Sequence, residues 1–270
     1  IFKYFYPWHL NFVLQKDFLD SDLSNVSAII FLHNQWWPTM PQQIVNKLRE
    51  FLRPKLVFIQ DEHQMSRSTT SMLNECCFDV LFSVATKVNF DKLYSGGKFE
   101  IFPCSTVYVG SNTHVKKNLG KIDVSYRGSS PPFYLGELAQ AKVSVKDIFL
   151  SAVTGTNLTH DVSTSIWDRM HDGAWGSLLA KSKFVLGTPS GASLFDYYGH
   201  YAESEMLYRN TNQKFDFFEW RRSNNLDNVD WTEKIDTISP RVIEVIKSGG
   251  VNILTHGEYA GILEPEYSLR

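Results

Sequence analysis

The chain has 270 residues, of which 43% are hydrophobic and 21% charged, so it can bury one large core or two moderate ones. Its formal net charge of −2 provides no general basic field, which argues against nucleic acid as a partner and allows at most peripheral association with a membrane. The 3 cysteines are odd in number and include an adjacent pair, which argues against a secreted disulfide framework and predicts a cytoplasmic location.

The first part of the chain alternates between apolar runs and helical patterns. Residues 28–32 and 55–59 are predicted to be buried strands on either side of a helix that starts near Ile44. Residues 80–84 and 99–102 are predicted to be further strands at similar spacing. This order predicts a doubly wound sheet whose strands end in polar residues.

Polar strand ends are where such a sheet carries its site. His33 follows the first predicted strand, and Glu62 and His63 follow the second. These three are our candidates for a general base, which must lie where an acceptor hydroxyl binds. A purely structural role stays open for each of them.

A polar, turn-rich and basic segment at residues 110–120 is predicted to link two domains. We therefore expect an α/β fold of two Rossmann-like domains, residues 1–115 and 116–270, with a cleft between them.

After this segment the strand–helix alternation restarts. A strand at 122–126 leads into Arg127, and a helical pattern follows with Leu138 and Val145 on one face. Residues 184–186 and 251–254 are predicted to be later buried strands.

Two segments of the second half indicate a ligand site. Residues 183–199 join an apolar run to a turn of Ser, Gly and Pro, and residues 238–244 begin a helix. Ser239 is predicted to be the N-cap and Pro240 the first helical residue. Both segments can present backbone N–H groups at the carboxyl edge of a parallel sheet, as in nucleotide sites.

Arg241 lies in the first turn of that helix. The helix dipole disfavours a cation there by roughly 0.3–1 kcal/mol, so the position favours a bound anion such as a phosphate nearby. A surface ion pair of Arg241 with Asp236 or Glu244 is the alternative.

Several short motifs occur in a fixed order. They are Val57-Phe-Ile-Gln-Asp-Glu62, Tyr126-Arg-Gly, Gly136-Glu-Leu with Lys142, Arg169 before Trp175-Gly-Ser, Leu186-Gly-Thr-Pro-Ser-Gly-Ala-Ser-Leu-Phe-Asp196 with Gly199, Ser239-Pro-Arg with Glu244, and Gly257-Glu-Tyr-Ala-Gly-Ile-Leu. Together they resemble bacterial glycosyltransferases of the two-domain GT-B type, in particular the family-one and spore-maturation-type enzymes.

The resemblance implies transfer of a sugar from a nucleotide-activated donor to a glycan or lipid-linked acceptor, with the donor held mainly by the C-terminal domain. Such a fold normally has closing helices beyond the position of Arg270, and the chain begins with Ile1. We therefore expect segments to be missing at both ends.

The diphosphate leaving group of such a donor must be neutralised by a metal ion or by cations and helix N-termini. The resemblance implies the second solution, with no metal and no cofactor. The basic candidates are Arg127, Lys142 and Arg241, and an arginine fork can grip a phosphate with two hydrogen bonds. The other donor-binding candidates are Ser190, Gly191 and Ser193 as N–H or hydroxyl donors, Glu244 and Glu258 as acceptors from ribose or sugar hydroxyls, and Asp196 and Tyr259 from the matched motifs.

Competing interpretations rest on weaker motifs. Asp20 and Asp22 mimic the metal-binding carboxylates of the other glycosyltransferase fold, but they follow a helical-looking stretch, which favours a turn or cap. Residues 187–191 lack the order of a hydrolase elbow and the lysine of a phosphate-binding loop. Two other function classes stay open: a nucleotide-sugar epimerase or phosphorylase of the same fold, and a catalytically silent nucleotide- or sugar-binding module.

Overall fold

The computed structural model describes residues 17–32, 40–105, 121–212 and 214–263. Contacts divide the chain into two compact units, Ile1–Cys104 and Ser105–Arg270. The boundary predicted at residues 115 and 116, like His33, lies outside the described residues.

The first unit is a parallel sheet with helices between its strands. Its elements are β1 (Ile29–Leu32), α1 (Gln42–Glu50), β2 (Lys55–Ile59), α2 (Ser66–Glu75), β3 (Val80–Ser83), α3 (Phe90–Leu93) and β4 (Glu100–Pro103). The strands lie in the order β1-β2-β3-β4, and every neighbouring pair is parallel.

Hydrophobic periodicity explains these elements. Ile44, Val45 and Leu48 lie on one face of α1 and are buried there. Buried residues alternate along β2, and the parallel register sets Val57 beside Leu81 of β3, both 0% exposed. One face of α1 and alternate residues of the strands therefore contribute to the core of this unit, together with Leu73 of α2.

The described residues of the second unit form two sheets. Its elements are β5 (Ile122–Arg127), α4 (Glu137–Val153), β6 (His160–Ser163), α5 (Asp172–Lys181), β7 (Ser182–Gly187), β8 (Ser190–Ala192), α6 (His200–Thr211), α7 (Phe217–Ser223), β9 (Ile235–Thr237), α8 (Pro240–Lys247) and β10 (Val251–Leu254). The larger sheet has 4 parallel strands in the order β10-β7-β5-β6, while β8 and β9 form an antiparallel pair.

Helices pack on both faces of the larger sheet. Leu186 of β7 lies in one cluster with Val145 of α4, whereas its neighbour Val185 lies in another with Leu179 of α5 and Val245 of α8. Because successive strand residues point to opposite faces, this separation places α4 on one face and α5 and α8 on the other.

The prediction of an α/β fold with parallel sheets is confirmed. The strands expected at 55–59 and 251–254 have those bounds. β6 was missed because its sequence, His-Asp-Val-Ser, is mostly polar and lies at the edge of its sheet. The segment after β7, predicted to be a turn, also contains a short strand that was not predicted, since Ser190–Ala192 pairs with β9.

In the part of the chain that the structure describes, every helix is too short or too polar to cross a lipid bilayer.

Candidate functional site

A cavity of about 250 Å³ lies at the carboxyl ends of two adjacent strands of the second unit. β5 ends at Arg127 and β7 ends at Gly187, and both residues line it. The start of α8 closes the cavity with Ser239 and Arg241. The two segments that the sequence singled out therefore meet here, at the edge where parallel sheets usually bind ligands.

Three basic side chains line this cavity: Arg127, Lys142 of α4 and Arg241. Ser190 and Thr188 also line it and carry hydroxyl groups. Cations and hydroxyl donors are the groups that bind a phosphate.

Arg127 is buried, with 8% exposure, and other parts of the chain occupy its guanidinium group. Nη1 donates to the backbone oxygens of Tyr126 and Asp161, each at 2.9 Å. Nη2 donates to the Asp161 carboxylate at 2.7 Å, and Nε is buried without a partner among the described residues. This geometry contradicts a two-pronged contact of Arg127 with a phosphate, because its fork already binds Asp161.

Arg241 is exposed at the mouth of the cavity. It donates a hydrogen bond to the backbone oxygen of Arg127, and its guanidinium carbon lies 5.4 Å from the centre of the Trp175 ring. Among the described residues, no ion pair joins Arg241 to Asp236 or Glu244, so the surface ion pair considered from the sequence is not formed. Arg241 lines the cavity, and no carboxylate of the described residues lies at hydrogen-bond distance from its guanidinium group.

Ser239 and Pro240 occupy the N-cap and first helical positions of α8, as predicted. The hydroxyl of Ser239, however, makes no capping hydrogen bond. The first turn of a helix has N–H groups without intrahelical partners, so an uncapped start that faces a cavity suits an anion.

Tyr126 contributes a neutral phenol to the cavity wall. Its hydroxyl donates to the backbone oxygen of Lys142 at 2.8 Å. Burial raises the pKa of Tyr126 to about 12, even though Arg241 and a hydrogen bond with Thr188 act in the opposite direction. No negative charge therefore arises here near neutral pH.

Gly191, Ser193 and Asp196 lie outside this cavity. Gly191 has a φ of +117°, and a Cβ atom there would lie 1.7 Å from the backbone oxygen of Ile235. Its lack of a side chain serves the pairing of β8 with β9. Ser193 Oγ accepts from the Leu138 N–H at 3.0 Å and so caps α4.

Glu244, Glu258 and Tyr259 also lie outside the cavity lining. Glu244 accepts from Trp175 Nε1 at 2.8 Å and fixes the ring against which Arg241 packs. Glu258 is exposed and lies 3.3 Å from Lys234 Nζ, and the buried Tyr259 donates to the backbone oxygen of Thr255 at 2.8 Å.

In the first unit, the carboxylate of Glu62 is enclosed. It accepts from Ser83 Oγ and the Tyr94 hydroxyl, both at 2.5 Å, and from the Val84 N–H at 2.6 Å. Burial raises the pKa of Glu62 to about 7, against the opposite effect of these hydrogen bonds. His63, beside it, is 7% exposed. Both lie at the carboxyl end of β2, and their catalytic role stays a prediction.

Sequence reasoning assigned no site role to three residues that shape the cavity. Trp175 and Asn252 line it, and Asp161 fixes Arg127. Asn252 is the only polar residue in the run Val251–Leu254, which was the available signal. No local sequence pattern indicates the roles of Trp175 and Asp161. Trp175 contacts Glu244, 69 residues away, and Asp161 contacts Arg127, 34 residues away.

Asp22 has the turn role that its sequence context favoured. Its two carboxylate oxygens accept from the N–H and the hydroxyl of Ser24, each at 2.9 Å. Within the described ranges, no three His, Cys, Asp or Glu side chains are grouped so that they could hold a metal ion.

Comparisons of this chain with protein-family models, with curated proteins and with solved structures find no match.

Proposed function

We propose that the cavity of the second unit binds the diphosphate of a nucleotide-activated sugar, and that the chain is a metal-independent glycosyltransferase of the two-domain GT-B type. The observation that supports this is the meeting of three cationic side chains, Arg127, Lys142 and Arg241, with the uncapped start of α8 at the carboxyl edge of the sheet.

The proposed mechanism depends on the negative charge that develops on the leaving group. When a glycosidic bond to a diphosphate breaks, negative charge grows on the leaving oxygen, and fixed positive groups nearby stabilise the transition state. Arg241 and Lys142 line the cavity with positive charge, while Asp161 holds Arg127 in place as a positioning residue. A cavity of about 250 Å³ is near the lower bound for small-molecule pockets, which suits the phosphate part of a larger ligand.

The acceptor in this proposal is a glycan or lipid-linked hydroxyl compound, the enzyme is cytoplasmic, and its general base is one of the candidates in the first unit. Glu62 and His63 lie at the end of β2, and His33 is the third candidate. An enclosed carboxyl with a pKa near 7 has the proton affinity of a base at neutral pH, although Glu62 would need its hydrogen-bond partners to move.

Arg241→Ala provides the direct test. We expect it to weaken the binding of UDP or GDP about tenfold or more, because it removes a charge-assisted hydrogen bond, and Arg241→Lys to restore only part of the affinity. Isothermal titration calorimetry measures both. Arg222→Ala, an exchange of the same type at an exposed position outside the cavity, is the matched control.

Equal affinities of the wild type and Arg241→Ala for both nucleotides would show that the donor does not bind here. If nucleotides bind but no nucleotide sugar releases its diphosphate with any acceptor, the chain is a binding module. A product that stays attached to the nucleotide would identify an epimerase instead.

A further inference from the structure

An exposed tryptophan follows β6 at the carboxyl edge of the larger sheet. Trp167 belongs to a short 3₁₀ turn, Ile166–Asp168, and 92% of its surface is accessible to solvent. The other tryptophans that the structure describes are half-buried or buried: Trp175, Trp220 and Trp231. An indole buries a large apolar area wherever it packs, so a ring left in water forgoes the stabilisation that the other three provide.

Hydrogen bonds that do not involve the indole hold this turn. Ser163, the last residue of β6, donates from its hydroxyl to Asp168 Oδ2 at 2.6 Å and accepts from the N–H of Ser165 at 3.1 Å. The hydroxyl of Ser165 accepts from the N–H of Trp167 at 3.2 Å. The backbone of Trp167 is therefore fixed independently of its ring, and such preorganisation lowers the entropic cost of binding a ligand.

The same turn is attached to the wall of the cavity at the ends of β5 and β7. The strand register sets Ser163 beside Arg127, and the N–H of Gly128 donates to the backbone oxygen of Ser163 at 2.9 Å. Arg127 and Gly128 both line the cavity. Trp167 follows Ser163 by four residues, a length of chain that spans at most about 14 Å. A ligand held in the cavity can therefore reach the indole with a part that extends past Gly128.

The nucleotide proposed for this cavity has such a part. The cavity volume of about 250 Å³ is near the lower bound for small-molecule pockets, so the base of a nucleoside diphosphate extends beyond it. A nucleobase is flat, and its π face stacks on an aromatic ring while its polar edge stays in water. An exposed indole on a fixed turn offers the matching surface.

We propose that Trp167 is a stacking platform for the nucleobase of the ligand whose diphosphate binds in the cavity. The inference rests on the function proposed above and adds the residue that holds the base. Every nucleobase has a π face, so the platform increases the affinity for nucleotides with little preference among the bases.

Pyrophosphate separates the platform from the cavity, because it carries the diphosphate without a base. Isothermal titration calorimetry on the full chain compares UDP, GDP and pyrophosphate for the wild type and Trp167→Ala. We expect the substitution to weaken the binding of both nucleotides about tenfold and to leave pyrophosphate unchanged, since stacking is lost and the phosphate contacts stay. Arg241→Ala, in contrast, is expected to weaken the binding of all three.

Further variants distinguish stacking from simple apolar contact. Trp167→Phe keeps an aromatic face, and we expect it to bind UDP within about threefold of the wild type, whereas Trp167→Leu is expected to bind as weakly as Trp167→Ala. Phe218→Ala, which removes a ring of 63% exposure outside the cavity lining, is the matched control with unchanged UDP affinity. Urea denaturation checks that all variants keep the wild-type stability, as expected for exposed side chains.

Several results would overturn the platform. Unchanged affinity of Trp167→Ala for UDP and GDP is one, and an equal loss for pyrophosphate is another, because it would indicate a disturbed cavity. Recovery of UDP affinity by leucine as well as by phenylalanine would show apolar contact instead of stacking. Weaker binding of UDP-glucose by Trp167→Ala, with unchanged UDP, would place the sugar on the ring.

The platform and the donor cavity can fail separately. If nucleotide binding depends on Trp167 but pyrophosphate does not bind and Arg241→Ala has no effect, the platform stands and the phosphates bind elsewhere. If the wild type binds none of the three probes, both proposals are wrong.

Discussion

Glu62 shows how a polar residue that follows a strand can connect several elements of the fold. Its carboxyl group joins the end of β2 to the end of β3 through Ser83 and Val84, and to Tyr94 after α3. Burial raises the pKa of Glu62 to about 7 from an ordinary 4.5, so the fold favours the protonated form.

This shift makes the stability of the chain depend on pH. A carboxyl group whose pKa is raised by folding stabilises the native state fully below pH 4.5, and its contribution is lost as the pH rises through about 7. We expect the difference in free energy of unfolding between the wild type and Glu62→Gln to change by on the order of 3 kcal/mol between pH 4.5 and pH 8, in favour of the wild type at low pH.

Urea denaturation of both proteins at the two pH values measures this difference. Glu50→Gln, at an exposed position of α1, controls for the chemistry of the exchange. The same difference at both pH values would mean that Glu62 titrates alike in the folded and unfolded chain.

At the scale of elements, the short pair β8–β9 holds the segment after β7 in place. Gly191 is set opposite Asp236, and no other residue type fits so close to the neighbouring backbone. Ser190, next to it, lines the cavity at the ends of β5 and β7, so the pairing positions part of the proposed donor site.

We therefore expect Gly191→Ala to destabilise the protein by about 3 kcal/mol or more, since the added methyl group meets the backbone oxygen of Ile235 and the strands must separate. Gly155→Ala is the matched control: Gly155 also has a positive φ, of +81°, but has nothing within 4 Å of its Cβ position. There we expect only the cost of backbone strain, about 1 kcal/mol.

Thermal and urea denaturation measure both variants. If Gly191→Ala is no less stable than Gly155→Ala, β8 and β9 are not closely paired. Weaker UDP binding in a folded Gly191→Ala would in addition connect this pairing with the cavity.

At the scale of the whole molecule, positive charge in the cavity proposed to hold the donor comes from Arg127, Lys142, Arg241 and the start of α8. The proposed transfer therefore needs no metal ion. We expect the rate of sugar transfer to survive dialysis against EDTA, measured as release of nucleoside diphosphate. A sample treated with calcium-saturated EDTA controls for the chelator, and loss of transfer that Mn²⁺ or Mg²⁺ restores would contradict the prediction.

The sequence by itself determined the fold class, most of the strands and the start of α8. Lys55–Ile59 and Val251–Leu254 were predictable because burial of a strand leaves a local apolar run, and Pro240 marks a helix start through its own ring geometry. Arg241 and Ser190 could be assigned to one site because each lies in a segment where Ser, Gly or Pro marks the end of a strand or the start of a helix.

Only the tertiary structure decided how the candidate residues are used. Asp161 occupies the fork of Arg127 from 34 residues away, Ser193 caps α4 from 55 residues away, and Asp196 lines a different cavity from the one expected. Short polar side chains bind whichever partner the folded backbone brings to within about 3 Å. That choice depends on contacts between distant segments, which local periodicity and turn chemistry do not encode.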